Sequence, residues 1–453
     1  MARADSPRVV LNFDKDWRFF KGEPVGNVDA PSFAFIDSDW RKIDLPHDWA
    51  IEGPFDENAP TTGAGAFLPS GVSWYRKSFT LPPEAKAGDK RVFIEFDGVM
   101  ANSEVYINKA VLGTRPNGYV PFRYELTNYL DASGPNILAV RTDTSRQTAS
   151  RWYAGAGIYR HVRLVIQDAA TRLDSGSTTV SITQATPAQA KVHLRTTVLQ
   201  TSHQDRNVTV EFSIVDPDGK VLQTEKSSVV ATDLAPATVQ EDLLIPNPHL
   251  WDTETPAMYK LITRLRAGDT AIDEETTPFG VRTAEFKADT GFWLNGKNIK
   301  LLGVCLHADA GALGVAVPAS AWESRLAALK ARGVNAVRTA HNPPSPEFLD
   351  ACDKLGIMVM DEAFDVWTIG KEVGDYHLYF KDWWQRDLDA MIKRDRNHPS
   401  IVIWSVGNEI WDILPQNPDP APDQFTGPNR SIDIAKNIFI QLRDRVHELD
   451  PLS

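Results

Sequence analysis

Two rhythms of apolar and polar positions divide the chain. Up to about residue 168, apolar residues recur at every second place in short runs, as at Val92, Ile94 and Phe96 and again at Val105 and Ile107. SWYRKSFTL, RVFIEFDGV, SEVYINKAVLG, NILAVRTD and YRHVRLVI read as strands separated by turn residues, with no long helical stripe between them. That pattern predicts a β-sandwich over residues 1–168. A second alternating block, with TTVSITQ, KVHLRTTVLQ, NVTVEFSIVD and MYKLITRLR, covers 169–284 and has the length of an immunoglobulin-like sandwich without its cysteine pair.

From residue 285 the period lengthens. NIKLLGV, NAVRTA, IMVMD and IVIWSV read as strands apolar on both faces, each followed by a helical stripe. Ser320 with Glu323 offers a capping box for the first helix, which ends at Gly333. Ser345 caps the second, with Pro346 at its first position, Phe348, Leu349, Cys352 and Leu355 on the buried side and Gly356 as the stop. Trp384, Leu388, Met391 and Ile392 mark the third, and the last runs from about Ser431 to Leu449. Four β-α units in a row belong to a parallel sheet covered by helices, either an open doubly wound sheet or a barrel. Polar residues follow every strand: His307 and Asp309; Arg338, His341 and Asn342; Asp361, Glu362 and Asp365; Asn408 and Glu409. A barrel gathers all such strand ends on one face, whereas an open sheet concentrates them at one switch point. The barrel is therefore the favoured reading of 285–453, with about four of its eight units in view.

Composition narrows the function classes. Charged residues are 24% of the chain and the net charge is -12, against the basic footprint of a nucleic-acid binder. No apolar run approaches the roughly 18 residues of a membrane helix. MARADSPRVV has no apolar signal segment, and both a cytoplasmic chain and a secreted or periplasmic one with its signal removed fit that start. Cys305 and Cys352, each within an apolar pattern, read as buried free thiols. Metal-ligand spacings, a nucleophile elbow and a phosphate loop are missing, and GAGIYR lacks the third glycine of a dinucleotide fingerprint. No cofactor or metal is expected. The 13 tryptophans suit either core packing or stacking against sugar rings.

The strand ends carry the chemistry. Glu409 stands at the mouth of the apolar run IVIWSV, where low dielectric would raise a carboxyl pKa and keep a proton available for a leaving oxygen. Asn408 beside it offers a neutral amide for a sugar hydroxyl. Glycoside cleavage requires such a set: an acid, a nucleophile or base, and hydrogen bonds to the 2-hydroxyl. Arg338 lies inside a strand and needs carboxylate partners on neighbouring strand ends. Pro343 and Pro344 would hold His341 and Asn342 still. Asp361 and Glu362 must point to opposite faces, one toward the site and the other behind it. His307 reads as either a pocket or a core histidine, Trp367 as a sugar platform or packing, and Trp404 as core.

These motifs resemble glycoside hydrolase family 2, which includes β-galactosidases, β-glucuronidases and β-mannosidases. WYRKSFTLP, FDGVMANSEVYINKAVLG and GAGIYRHVRL are similar to its jelly-roll sugar-binding domain. PNPHLWDTETPAMYKL and FGVRTAEF resemble the edges of its immunoglobulin-like domain. GVCLHADAGALG, LKARGVNAVRTAHNPPSPEFLDACDKLGIMVMDEAFDVW and WSVGNE resemble the first half of its (β/α)8 TIM barrel. The resemblance implies a retaining exo-β-glycosidase, β-galactosidase foremost and β-glucuronidase or β-mannosidase next, with Glu409 as acid/base and Asn408 on the 2-hydroxyl. It implies that Arg338, His341, Asp361 and Trp367 line or support the pocket, and that a loop of the first domain reaches it, with Arg151, Trp152 and Asp56 as candidates. AFDVWTIG lacks the glutamate and histidine of the magnesium-dependent members, and Ala308 stands where many relatives have a second histidine. The family's nucleophile lies on a later strand, beyond residue 453. The expectation is therefore a front part, inactive alone, whose barrel is completed by a C-terminal continuation or a second polypeptide. A homo-oligomer is compatible with all of this. The reading of another class is a non-catalytic carbohydrate-binding or assembly protein.

Overall fold

The structure, a computed structural model, describes residues 7–25, 29–85, 88–413 and 432–451. In the first block a four-stranded antiparallel sheet (Val9–Asn12, Val162–Asp168, Lys90–Phe96, Phe122–Glu125) faces a six-stranded one (Arg41–Ile43, Trp17–Lys21, Val72–Thr80, Pro135–Asp143, Ser103–Ile107, Ala110–Arg115). SEVYINKAVLG is thus a hairpin rather than one strand. The alternation has its expected cause: Val92, Ile94 and Phe96 from one sheet and Val105 and Ile107 from the other are fully buried in the layer between them. A second sandwich follows, with Gln189–Gln200 central in one sheet and Arg206–Val215 and Tyr259–Ala267 central in the other. Val192, Leu194, Val210, Phe212 and Leu261 fill its core.

A parallel four-stranded sheet comes next, in chain order: β1 (Gly303–Leu306), β2 (Ala336–Thr339), β3 (Met358–Glu362) and β4 (Ile401–Ser405). Helices α1 (Ala319–Lys330), α2 (Pro346–Leu355) and α3 (His377–Asp395) are the crossovers, and α4 (Ile432–Leu449) follows β4. Leu326, Leu349, Cys352, Val359 and Ile401 join helices to sheet in one core. NIKLLGV is divided: Lys297–Asn298 closes a hairpin with Gly291–Leu294, and the barrel strand begins at Gly303. The capping box at Ser320 does not form, because the helix starts one residue earlier behind Pro318, with no side-chain cap. Ser345 does cap α2, accepting from the Phe348 amide at 3.4 Å, and Gly356 ends it at φ 67. Ser431 lies outside the described residues.

Both outer strands of this sheet have one unpaired edge among the described residues. Cys352 is fully buried, but Cys305 on β1 is exposed, on the sheet face it shares with Arg338, whose Nη1 lies 3.7 Å from its Sγ and which no further strand faces among the described residues.

The first sandwich is tied into the barrel. The Asp48 carboxylate, at the start of the long loop after Pro46, accepts from the Val315 amide of the β1–α1 segment at 3.0 Å and from Tyr153 at 2.7 Å. Arg160 is fully buried and donates to the carbonyl of Pro343 at 2.9 Å, pinning the turn after β2.

Candidate active site

The C-terminal ends of β2, β3 and β4 meet in one hydrogen-bonded cluster. The partner that Arg338 requires is Glu362. Arg338 Nε donates to Oε2 at 2.9 Å and Nη2 to Oε1 at 2.7 Å, with the carboxylate 1% exposed. Glu362 also accepts from Ser405 Oγ at 2.8 Å and pairs with His341 Nδ1 at 3.0 Å. Such a bidentate, fully partnered carboxylate is locked in orientation. Arg338 Nη2 reaches on to Asn408 Oδ1 at 2.7 Å.

Asn408 is buried, and its amide is fixed from both ends. Its Oδ1 accepts from Arg338 and its Nδ2 donates to Asp365 Oδ1 at 2.7 Å, while the backbone carbonyl of Asn408 accepts from Lys371 Nζ at 2.7 Å. Among the described residues the Asn408 Nδ2 group has one hydrogen-bond partner, Asp365, so a second N–H remains for a ligand.

Glu409 stands next in the chain, on the same face, in the left-handed region at φ 42, a rare place for a residue with a side chain. Its carboxylate pairs with Arg151 Nη1 at 3.4 Å, and Arg151 Nη2 also donates to Asp365 Oδ1 at 3.0 Å. The expectation of a water-poor setting for Glu409 is corrected: its side chain is 68% exposed. Four strands wall the site on one side only, so nothing faces the carboxyl across it among the described residues.

The first sandwich adds a second side group. Trp152 lies over His307 at 5.4 Å between ring centroids and meets His341 edge-on at 5.2 Å, its indole N–H donating to Tyr119 at 3.2 Å. Burial, helped by neighbouring His341, pushes the His307 pKa below its usual value, so the ring favours its neutral form. His307 Nδ1 and Asn342 Nδ2 have no partner among the described residues.

Other expected site residues lie elsewhere. Asp361 is fully buried on the opposite face of β3, against Asp395, Arg394 and His398. Strand alternation sends it to the helix layer and leaves Glu362 to the site. Trp367 is 4% exposed, packed by Phe380, with its indole N–H on the Val406 carbonyl at 2.8 Å. It supports the end of β4 and offers no open ring face. Asp309 is half-buried in its own turn, accepting from the Gly311 amide, and does not join the Arg338 cluster. Asp56 is exposed and accepts from the Asn58 amide of its own turn. Trp404 packs into the core with its N–H on Asp450.

Lys371 was given no place by the sequence reading, and Asp365 only a strand-end position. The pair of glycines in GKEVGD, after a barrel strand and beside a lysine, is the signal that could have found Lys371. Away from the site, Asp350, Asp353 and His398 have ligand atoms within 4.8 Å of one another at the N-terminal end of β4. His398 there is committed to an ion pair with Asp353 at 2.6 Å.

Comparison with known proteins fits this geometry. Residues 13–167 match the sugar binding domain of glycosyl hydrolases family 2, residues 171–282 a further family 2 domain, and residues 286–420 the family's TIM barrel domain. The β-galactosidase BoGH2A of Bacteroides ovatus is 45% identical over 406 residues, covering 89% of this chain and 47% of that protein. A β-glucuronidase of Bacteroides fragilis is 32% identical over 392 residues, covering 83% of this chain and 54% of its own. Among solved structures, a family 2 member from Bacteroides cellulosilyticus superposes with a TM-score of 0.90 at 36% identity, over 97% of this chain and 55% of that one. A β-glycosidase from Bacteroides vulgatus gives 0.86 at 38% identity, over 98% of this chain and 53% of its own. The chain spans about half the length of the curated relatives it matches. With all three domains matched in order along its length, the chain belongs to glycosyl hydrolases family 2.

Proposed function

We propose that this chain supplies the acid/base half of a retaining exo-β-glycosidase acting on terminal β-linked sugars, β-D-galactosides foremost. The observation that carries the reading is the fixed amide of Asn408, held by Arg338 and Asp365 immediately before Glu409 at the C-terminal end of β4. Glu409 protonates the departing oxygen and then activates water. Asn408 donates its free N–H to the 2-hydroxyl. Glu362, Arg338 and His341 hold that amide in place. Trp152 and His307 form the wall contributed between the two domains.

The nucleophile comes from a segment beyond residue 453, a C-terminal continuation or a second polypeptide, that extends the sheet past β4. Closing the barrel also desolvates Glu409, which the proton-donor role demands. The preference for galactosides rests on the Bacteroides ovatus relative; the β-glucuronidase relative supports glucuronides as the next choice, ahead of β-mannosides.

The test is a panel of nitrophenyl β-glycosides on this chain together with its continuation, with Glu409→Gln as control. Galactoside turnover lost in that variant is expected, and an unchanged rate would remove the acid/base assignment. The 453-residue chain alone is expected to be inactive, and robust turnover by it would overturn the need for a continuation. The exposure of Glu409 favours a non-catalytic, sugar-holding role for the isolated chain. A reading frame that adds four further βα units and a strand-end glutamate after Ser453 decides for the enzyme.

A further inference from the structure

We propose that Lys371 is a positioning residue for Glu409, clamping the peptide carbonyl of Asn408 and the carboxylate of Asp365 so that the acid/base side chain is held at the mouth of β4. The inference rests on the reading of Glu409 given above.

Lys371 lies in the segment between β3 and α3, with its side chain 1% exposed. Its ammonium has three acceptors: the Asp365 carbonyl at 2.9 Å, Asp365 Oδ1 at 2.9 Å and the Asn408 carbonyl at 2.7 Å. All three N–H donors of the group are spent, none on solvent. The Asn408 carbonyl belongs to the peptide that leads into Glu409, the residue in the left-handed region. A strained backbone of this kind persists only where its surroundings over-determine it. Lys371 supplies one restraint through that carbonyl. A second runs through Asp365 Oδ1, which also takes Asn408 Nδ2 at 2.7 Å and Arg151 Nη2 at 3.0 Å, and Arg151 in turn meets Glu409. The charged groups facing Lys371 are Asp365, Arg151 and Glu409. Burial pushes its pKa down and Asp365 opposes that push.

The loop is built to hold this ammonium still. Asp375 Oδ2 accepts from the amides of Lys371 and Glu372 at 2.8 Å each. Gly374 donates to the Thr148 carbonyl at 2.8 Å, and Thr148 Oγ1 bonds Glu372. A Cβ at Gly374 would lie 2.5 Å from the Arg146 carbonyl, so only glycine allows the approach. The loop bearing Lys371 and the sandwich loop leading to Arg151 are therefore zipped together. A lysine placed only to neutralise Asp365 would not need the Asn408 carbonyl or this bracing.

The experiment compares Lys371→Met and the shorter, neutral Lys371→Gln with Glu409→Gln, in the enzyme formed by this chain and its continuation. The expected result is a fall in kcat of about tenfold or more with KM changed less than about threefold. The fall in kcat/KM is larger for an aryl β-galactoside with a poor leaving group than for a dinitrophenyl one, whose oxygen departs with little help from an acid. A lysine that only stabilises the loop would lower the yield of folded protein and leave the difference between leaving groups unchanged. A second readout uses the 453-residue chain by itself: the backbone amide resonance of Glu409, assigned with Glu409→Gln, is expected to move in Lys371→Met, because the carbonyl of its peptide has lost a donor. Wild-type kcat and an unchanged leaving-group dependence in both Lys371 variants, with Glu409→Gln inactive, overturn the inference alone. Full activity of Glu409→Gln sinks the acid/base reading instead, and the amide resonance then decides whether Lys371 positions Glu409.

Discussion

Arg338 and Glu362, on neighbouring parallel strands, face each other through two hydrogen bonds, at 2.9 and 2.7 Å, with the carboxylate almost wholly withdrawn from water. This pair is the anchor from which the Asn408 amide and His341 are oriented.

Arg338→Ala leaves Glu362 buried with Ser405 and His341 as its remaining partners. The expected loss is about 3 kcal/mol, the low end for breaking a buried pair, because the guanidinium is 26% exposed. A urea midpoint followed by tryptophan fluorescence reads it. A loss under about 1 kcal/mol would show the pair to be as weak as a surface bridge.

His398 gives the chain an alkaline sensitivity. Burial alone would lower its pKa, but the Asp353 carboxylate outweighs that and holds it at about 9, above the ordinary 6.5. The proton is bound more tightly in the folded state, so this contribution is complete below about pH 6.5 and is lost as pH rises to about 9. Stability is expected to decline by about 2–3 kcal/mol across that window. His398→Gln should flatten the slope, and urea midpoints at pH 6, 7.5 and 9 check it.

Asp361 has the same sign from a different cause. Burial first, then the nearby Asp395 carboxylate, raises its pKa well above the usual range. Stability tied to its proton is present at low pH and falls as pH climbs toward the raised value. Asp361→Asn, which keeps the shape without the charge, is expected to be tolerated near pH 5 and to be more stable than the parent at pH 9. Thermal midpoints at both pH values distinguish this from a variant that is simply less stable throughout.

Arg151 reaches the site from the first sandwich. Arg151→Ala removes its contacts to Asp365 and Glu409, and kcat/KM of the completed enzyme is expected to fall about tenfold with the fold unchanged by circular dichroism. An unaltered rate would show that the sandwich shields the site without acting on it.

Much of this was legible in the chain. Alternation placed Val92, Ile94 and Phe96 in a sandwich core, and the doubly apolar strands of the last part announced the parallel sheet, which begins at Gly303, after an antiparallel sheet over 284–298 that the pattern did not show. Arg338 announced its need for a carboxylate because a charge inside an apolar strand has few other solutions. The choice between Asp361 and Glu362 was not readable, since alternation says only that the two differ. It took the position of α3 to show which face Asp361 joins. Trp367 was equally opaque, because a buried indole and a sugar-stacking one occupy the same sequence position. Lys371 escaped notice because its three acceptors include two backbone carbonyls, which leave no trace in residue identity. Cys305 and Glu409 differ from expectation for one reason: each is set in an apolar run that suggests burial, and the four strands leave the face they share open among the described residues.

The contact of Gly374 with the Arg146 and Thr148 carbonyls has a consequence for protein engineering. Grafting the sandwich of one family member onto the barrel of another would bring together partners whose loops never fitted, and the mismatch would fall beside Asn408 and Glu409. Chimeras joined in the linkers near residues 168 and 284 would fold yet work poorly unless residues 146–151 travelled with residues 370–375.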